Sequence, residues 1–344
     1  MHQKLIVVVC LFAFILTACG GGESSATATP LPSETPIVPP TLTATPVVPL
    51  VILVLPADLD PDTSNLYQTT VYDLAQSAGY RFQVRNSLST AEIEPGLKIV
   101  IALPPDPGIV ELAAAATDVQ FLAINIPNLA PGGNISVLAG GAQSDIAAFL
   151  AGYTAALLTD DFRIGMIVPK DNPEAQQASA AFRNGMIYYC GLCRPIFYPT
   201  FCLAENLQNC FPQYVEIPAE EDPSRYNPYA DYLLIQRRVL AIYTYPSVAD
   251  PDLLRYIGTT GAYVIGTSTP EPRPAGWVMT IQPDVIKAIQ NAWPQLVAGQ
   301  GGIAVQSPLG LSDIDPTILT PGKERLVQEA LNELQLGRIS TSSP

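Results

Sequence analysis

From Leu50 onward, short runs of apolar and often β-branched residues alternate with longer stretches whose apolar positions return every three to four residues. The first run, Leu50-Val51-Ile52-Leu53-Val54-Leu55, contains no polar position, which marks a strand covered on both faces. Similar runs predict strands at 81–84, 98–103, 121–125, 135–138, 163–168, 239–243, 263–266, 277–281 and 303–305. The longer period predicts helices over 66–78, 108–116, 144–158, 174–189, 225–237, 251–257, 283–297 and 321–336. Strands that alternate with helices argue for an α/β fold with parallel sheets and right-handed crossovers. Such sheets offer ligands the carboxyl ends of their strands, and two of them facing each other enclose a cleft.

The chain before Leu50 has a different texture. Met1 to Lys4 form a short basic start, and residues 5–16 form an apolar run well below the ~20 residues of a membrane span. Leu16-Thr17-Ala18-Cys19 resembles a bacterial lipobox, so residues 1–18 are expected to be a signal peptide and Cys19 the acylated N-terminus. The competing reading is an uncleaved signal anchor. Acyl chains on Cys19 would hold the protein on the extracytoplasmic face of the cell membrane. Residues 19–49 are dominated by Thr, Pro, Ser, Ala and Val, with Thr-Pro pairs at Thr29, Thr35 and Thr45, a composition that spaces rather than folds.

Charge and composition narrow the chemistry. Seventeen basic against 31 acidic residues give a formal charge of −14, which disfavours nucleic acid as a partner. The single histidine, His2, lies inside the expected signal peptide. A mature chain without imidazole has no Ser-His-Asp or Cys-His catalysis and no His-ligated metal. No other catalytic constellation stands at a convincing spacing, so the expectation is a protein that is not an enzyme and carries no metal or cofactor.

Four cysteines, Cys190, Cys193, Cys202 and Cys210, cluster in an insertion at 190–212 rich in proline and aromatic residues. Outside the cytoplasm an even count favours two disulfides, with three pairings open; a zinc site built from all four thiolates and a redox-active Cys-x-x-Cys are the other readings. Tyr67 stands where a helix should begin after the first strand, and Tyr245 follows a strand end. Each is either a stacking platform for a planar ligand or ordinary packing. Asp58-x-Asp60-x-Asp62 lacks the glycine and glutamate of a calcium loop and reads as a solvated turn. The pair Asp160-Asp161 reads as a helix end leading into a hinge. The glycine pairs Gly132-Gly133 and Gly140-Gly141 fit no phosphate-binding motif.

One family resemblance is visible. The stretch AQSDIAAFLAGYTAALL at 142–158, followed by Arg163-Ile164-Gly165-Met166-Ile167, resembles the "AFLAG…AA" helix and the strand after it in the basic membrane lipoprotein family. Phe182-Arg183-Asn184-Gly185-Met186 and Tyr263-Val264-Ile265-Gly266 are similar to two further segments of that family. The resemblance implies a two-lobed type I periplasmic-binding-protein fold, each lobe a parallel sheet flanked by helices. It also implies a solute-binding lipoprotein of an ABC importer, acting as a monomer with a membrane permease as partner; members with known ligands bind nucleosides. Lobe 1 is expected over 50–158 and 276–304, and lobe 2 over 159–275 and 305–338. Crossing strands are expected near 158–164, 274–278 and 302–306. The ligand residues it points to are Ser64, Asn65, Tyr67 and Asn125 from one lobe and Tyr245, Ser247, Thr267 and Ser268 from the other. Asn125 and Thr267 or Ser268 stand where the family carries aspartates, which points to a small, neutral, hydrogen-bonding solute. The competing function is a membrane-tethered sensor or assembly protein that keeps the fold without transport.

Overall fold

A computed structural model describes residues 47–139, 143–191 and 211–342. The signal peptide, Cys19, most of the spacer and Cys193, Cys202 and Cys210 lie outside the described residues; Cys190 is buried at the end of a helix.

Twelve strands form two six-stranded sheets. The first contains β1 (Leu50–Val54), β2 (Arg81–Arg85), β3 (Leu97–Ala102), β4 (Gln120–Ile124), β5 (Ile135–Ala139) and β11 (Ala304–Gln306), in the order β2-β1-β3-β4-β5-β11, and all its pairs are parallel. The second contains β6 (Ile164–Pro169), β7 (Gln213–Ile217), β8 (Ala241–Thr244), β9 (Tyr263–Gly266), β10 (Trp277–Pro283) and β12 (Leu309–Ser312), in the order β7-β6-β8-β9-β10-β12. Only β12 runs antiparallel to its neighbour. The expected fold class, two lobes each built on a largely parallel sheet with helices on its faces, is what the chain adopts.

The alternation of side chains along β1 shows how the first sheet is covered. Val51 and Leu53 face α1 (Pro61–Ser77) and α7 (Val285–Val297), where they meet Val71, Ile289 and Trp293. Leu50, Ile52 and Val54 face the other way, toward α2 (Ile109–Ala115) with its Ile109 and Leu112. In the second lobe, α3 (Ser144–Leu158), α4 (Pro173–Gly191), α6 (Pro251–Thr259) and α8 (Pro321–Gln335) contribute to one continuous core with β6, β8, β9 and β10.

The helix α3 is apolar all round: Ala147 to Ala156 are buried without a break. Its contact with α4 depends on two glycines. A Cβ at Gly152 would lie 2.0 Å from the Phe182 carbonyl oxygen, and one at Gly185 would lie 1.9 Å from that of Phe149. The two backbones therefore touch where any side chain would hold them apart.

That contact corrects the lobe boundaries. Residues 144–158 were expected in lobe 1 but pack on the second sheet. Strand β10 belongs to the second sheet rather than the first, and β11, through which the expected boundary at 304 runs, lies wholly in the first. The chain crosses between sheets after β5 and after β10, not at 158–164 and 274–278, and a third time between β11 and β12, directly after the expected 302–306. Helix α1 begins five residues earlier than expected, because Asp60 caps it by accepting from Thr63 N at 2.9 Å and Pro61 occupies its first turn. The helix expected over 225–237 is broken into α5 (Asn227–Asp231) and a π turn at Tyr232–Gln236, closed by Arg237 N donating to Tyr232 O. Strands β7 and β12 were not anticipated; both are short edge strands without a continuous apolar run.

Candidate functional site

Strand order 2-1-3-4-5 in both sheets puts a switch point beside β1 and beside β6, and the carboxyl ends of the strands are where such sheets present ligands. In the first lobe, the loop after β1 feeds α1. Once Asp60 fixes the start of that helix, Thr63 and Tyr67, four residues apart, share one face with Leu66. In the second lobe, β10 ends at Gln282-Pro283 beside Gly310 to Ser312 of β12, and Gln282 Nε2 donates to Ser312 Oγ at 3.0 Å. Between these two groups lies a cavity of about 520 Å3, lined by Thr63, Leu66 and Tyr67 on one side and by Gln282, Pro283, Leu311 and Ser312 on the other. Asp284 of the second crossing, Val285 and Ile286 at the start of α7, and Gly310 complete its lining. Tyr67 is 9% exposed, and burial raises its phenol above the ordinary range, so it remains a neutral donor.

A second cavity of about 200 Å3 lies on the second lobe and shares Pro283 with the first. Its walls come from the start of α3 (Gln143, Ser144, Ala147), from β8 and the turn after it (Tyr243, Pro246), from Thr267 after β9, and from Ile281 and Leu309. Gln143 stands at the N-cap of α3 but makes no capping bond; its amide donates instead to Ser307 O at 3.3 Å, tying the first crossing to the third. The hydroxyls of Tyr243, Thr244 and Ser307 are buried and have no hydrogen-bond partner among the described residues. Burial, with Tyr245 nearby, pushes the Tyr243 phenol far up, so it is protonated at any physiological pH.

The residues expected from the sequence are distributed unevenly over this geometry. Tyr67 lines the larger cavity and Thr267 the smaller. Ser64 points along α1, its Oγ accepting from Gln68 Nε2 at 2.9 Å, and Asn65 is exposed beside it. Asn125 is exposed at the carboxyl end of β4, in the left-handed conformation (φ 52°) with its N–H donating to Leu138 O. Tyr245 is packed into the lobe 2 core, while Ser247 and Ser268 are exposed and line neither cavity. Thr63, Gln282, Ser144 and Tyr243 were not anticipated. The first had a legible signal in the Asp60-Pro61 helix start; the others depend on which sheet their element joins.

Behind the second lobe's strand ends, Asp313 gathers the loop after β9 to the end of β12. Its carboxylate accepts from Thr269 at 2.7 Å, Thr280 at 3.1 Å and Ser312 at 3.2 Å, and its carbonyl oxygen accepts from Arg273. The Thr269 bond, followed by those from Thr280 and Ser312, holds its carboxyl below the usual carboxylate range. Among the described residues no group of histidine, cysteine and acidic side chains is arranged to hold a metal ion, and no helix is long and apolar enough to cross a membrane.

No family model matches the chain, and no curated protein matches it. Solved structures do. A solute-binding protein of an ABC transporter system from Aeropyrum pernix K1 is 16% identical with a TM-score of 0.42, over 86% of this chain and 93% of that one. A periplasmic ribose ABC transporter from Conexibacter woesei DSM 14684 is 15% identical with a TM-score of 0.47, over 82% of this chain and 95% of that one. GanP, a glucose-galactose binding protein from Geobacillus stearothermophilus, is 13% identical with a TM-score of 0.37, over 78% and 98%. At these values the likeness adds nothing to the strand order, on which the fold assignment rests.

Proposed function

We propose that the protein is a lipid-anchored, extracytoplasmic solute-binding protein of an ABC importer, of the kind the basic membrane lipoprotein family comprises, and that it closes on a small neutral, nucleoside-like solute. The observation that carries this is the cavity of about 520 Å3 lined by α1 of the first lobe and by β10 and β12 of the second. A solute touching both walls binds the closed form better than the open one, and that differential affinity drives hinge closure. The volume falls within the usual range for small-molecule sites. Its polar lining is made of Thr63, Tyr67, Gln282 and Ser312, with Asp284 the only ionisable group besides the phenol, which suits a solute rich in hydroxyl or amide groups rather than an ion. The signal-like N-terminus, Cys19 and the Thr/Pro spacer support an anchor that holds the lobes clear of the bilayer, where a permease would meet them. In the oxidising compartment that this implies, Cys190, Cys193, Cys202 and Cys210 would form two disulfides.

A thermal-shift screen against nucleosides, bases, sugars and amino acids tests the proposal. A ligand at one hundred times its Kd stabilises the fold by about 2.7 kcal/mol, which for a chain of this size raises Tm by on the order of 5 °C. A nucleoside or pentose that produces this shift supports the proposal. Silence across the panel from folded protein withdraws it.

A further inference from the structure

The smaller cavity is walled by Gln143 from the first crossing and by Pro283 and Leu309, the paired strand ends of β10 and β12 that adjoin the second and third. Its polar inventory is short. The backbone N–H groups of the first turn of the 15-residue helix α3 open toward Gln143 and Ser144 without a side-chain cap. Asp145, the acid of that first turn, accepts from Thr341 Oγ1 at 2.7 Å. The Tyr243 hydroxyl is the independent observation: its ring is held against Phe182 at 6.2 Å and 14°, and its oxygen is fully buried without a partner among the described residues. Native interiors rarely leave such a group unpaired, and an exception points to something absent from the site. Among the described residues no lysine, arginine, aspartate or glutamate lines the cavity, so a charged group entering it would lose its hydration with a helix end in compensation. In volume it exceeds the roughly 150 Å3 cavity that accepts benzene.

We propose that this cavity seats the ring of the solute: an uncharged, ring-sized, mostly apolar group whose one hydrogen-bonding edge meets the Tyr243 hydroxyl and the open end of α3. The inference rests on the solute-binding function above and adds to it where the ring lies and why it must be neutral. Thr267 and Ser144 supply further hydroxyls at the rim, and Ala147, Ile281 and Leu309 supply the apolar walls.

Three probes of nearly one shape test it on the full chain in detergent: benzamide, benzoate and toluene, each titrated by calorimetry. Benzamide is expected to bind at least tenfold more tightly than benzoate. Tyr243→Phe keeps the ring and its stack on Phe182; it is expected to weaken benzamide about tenfold, leave toluene unchanged, and raise the Tm of the empty protein because a buried unpaired hydroxyl is gone. Ala147→Leu, which fills the cavity from its wall, is expected to abolish binding of all three, with folding checked by circular dichroism. Equal binding of benzoate, or indifference of benzamide to Tyr243→Phe, overturns the proposal. So does the absence of binding by all three probes, which would assign the cavity to ordered water. A nucleoside that binds wild type and Ala147→Leu alike would overturn it while leaving the solute-binding function intact; failure of every nucleoside and sugar as well would remove both.

Discussion

The two lobes repeat one strand order and then diverge at the element that follows the fifth strand. After β5 the chain leaves its own sheet and lays α3 on the other lobe; after β10 it does the same in reverse and lays α7 on the first. The exchanged helices differ at their hinge ends. Helix α7 is closed by Asp284, whose carboxylate accepts from Lys287 N at 2.8 Å, whereas α3 opens without a side-chain cap beside a cavity lined in part by Tyr243, whose buried hydroxyl has no partner among the described residues. The sixth strands differ too, β11 parallel and β12 antiparallel. The lesson is that one topology, used twice, can close the first turn of its exchanged helix with a side chain in one copy and leave it uncapped in the other, while buried polar atoms without a partner among the described residues occur in both lobes, at Gln120 and Ser136 as at Tyr243.

The largest effect is expected from removing what makes α3 belong to lobe 2. Gly185→Leu drives a side chain into the Phe149 carbonyl, which as backbone cannot yield, so the loss should exceed the ~1–3 kcal/mol of ordinary overpacking. Urea unfolding would show it, and tryptophan fluorescence of Trp293 against Trp277, one in each lobe, would report whether lobe 2 fails first. If both signals shift together, the lobes fold as one unit. A smaller effect is expected at the other exchanged helix. Asp284→Ala makes the end of α7 resemble that of α3 and should cost about 1 kcal/mol, read as a lower urea midpoint at unchanged m. No change would mean that the difference between the two caps carries no energy.

The smallest effect concerns acid. Asp313 has a folded pKa held below its unfolded value by Thr269, Thr280 and Ser312, so its contribution is present above the ordinary carboxylate pKa and is lost as the pH falls through the depressed one. Between about pH 4 and pH 2 the wild type should therefore lose more stability than Asp313→Asn. Identical acid profiles would show that the carboxylate is dispensable to the loop it gathers.

The strands and most helices were legible because both-face burial and helical periodicity are written locally. The residues that carry the family resemblance proved to have a structural meaning: Gly152 and Gly185 are where α3 and α4 touch, and Phe149 and Phe182 are the carbonyls they touch. Lobe membership was not legible. An all-apolar helix announces that it is buried but not against which sheet, and so α3 and β10 were assigned to the wrong lobe. The site suffered most from this. Tyr67 could be found from its position after the first strand, but Gln282 and Tyr243 become cavity residues only once β10 and α3 are placed on the second sheet.

The exchange of helices also orders the birth of the molecule. As the chain is made from its N-terminus, β1 to β5 emerge early, yet the face bearing Val51, Leu53, Ile99 and Ile101 stays uncovered until Ala288, Ile289, Trp293 and Leu296 arrive. The lobe that is first in sequence is among the last to be completed, and for most of synthesis its open apolar face is the surface a chaperone would have to guard.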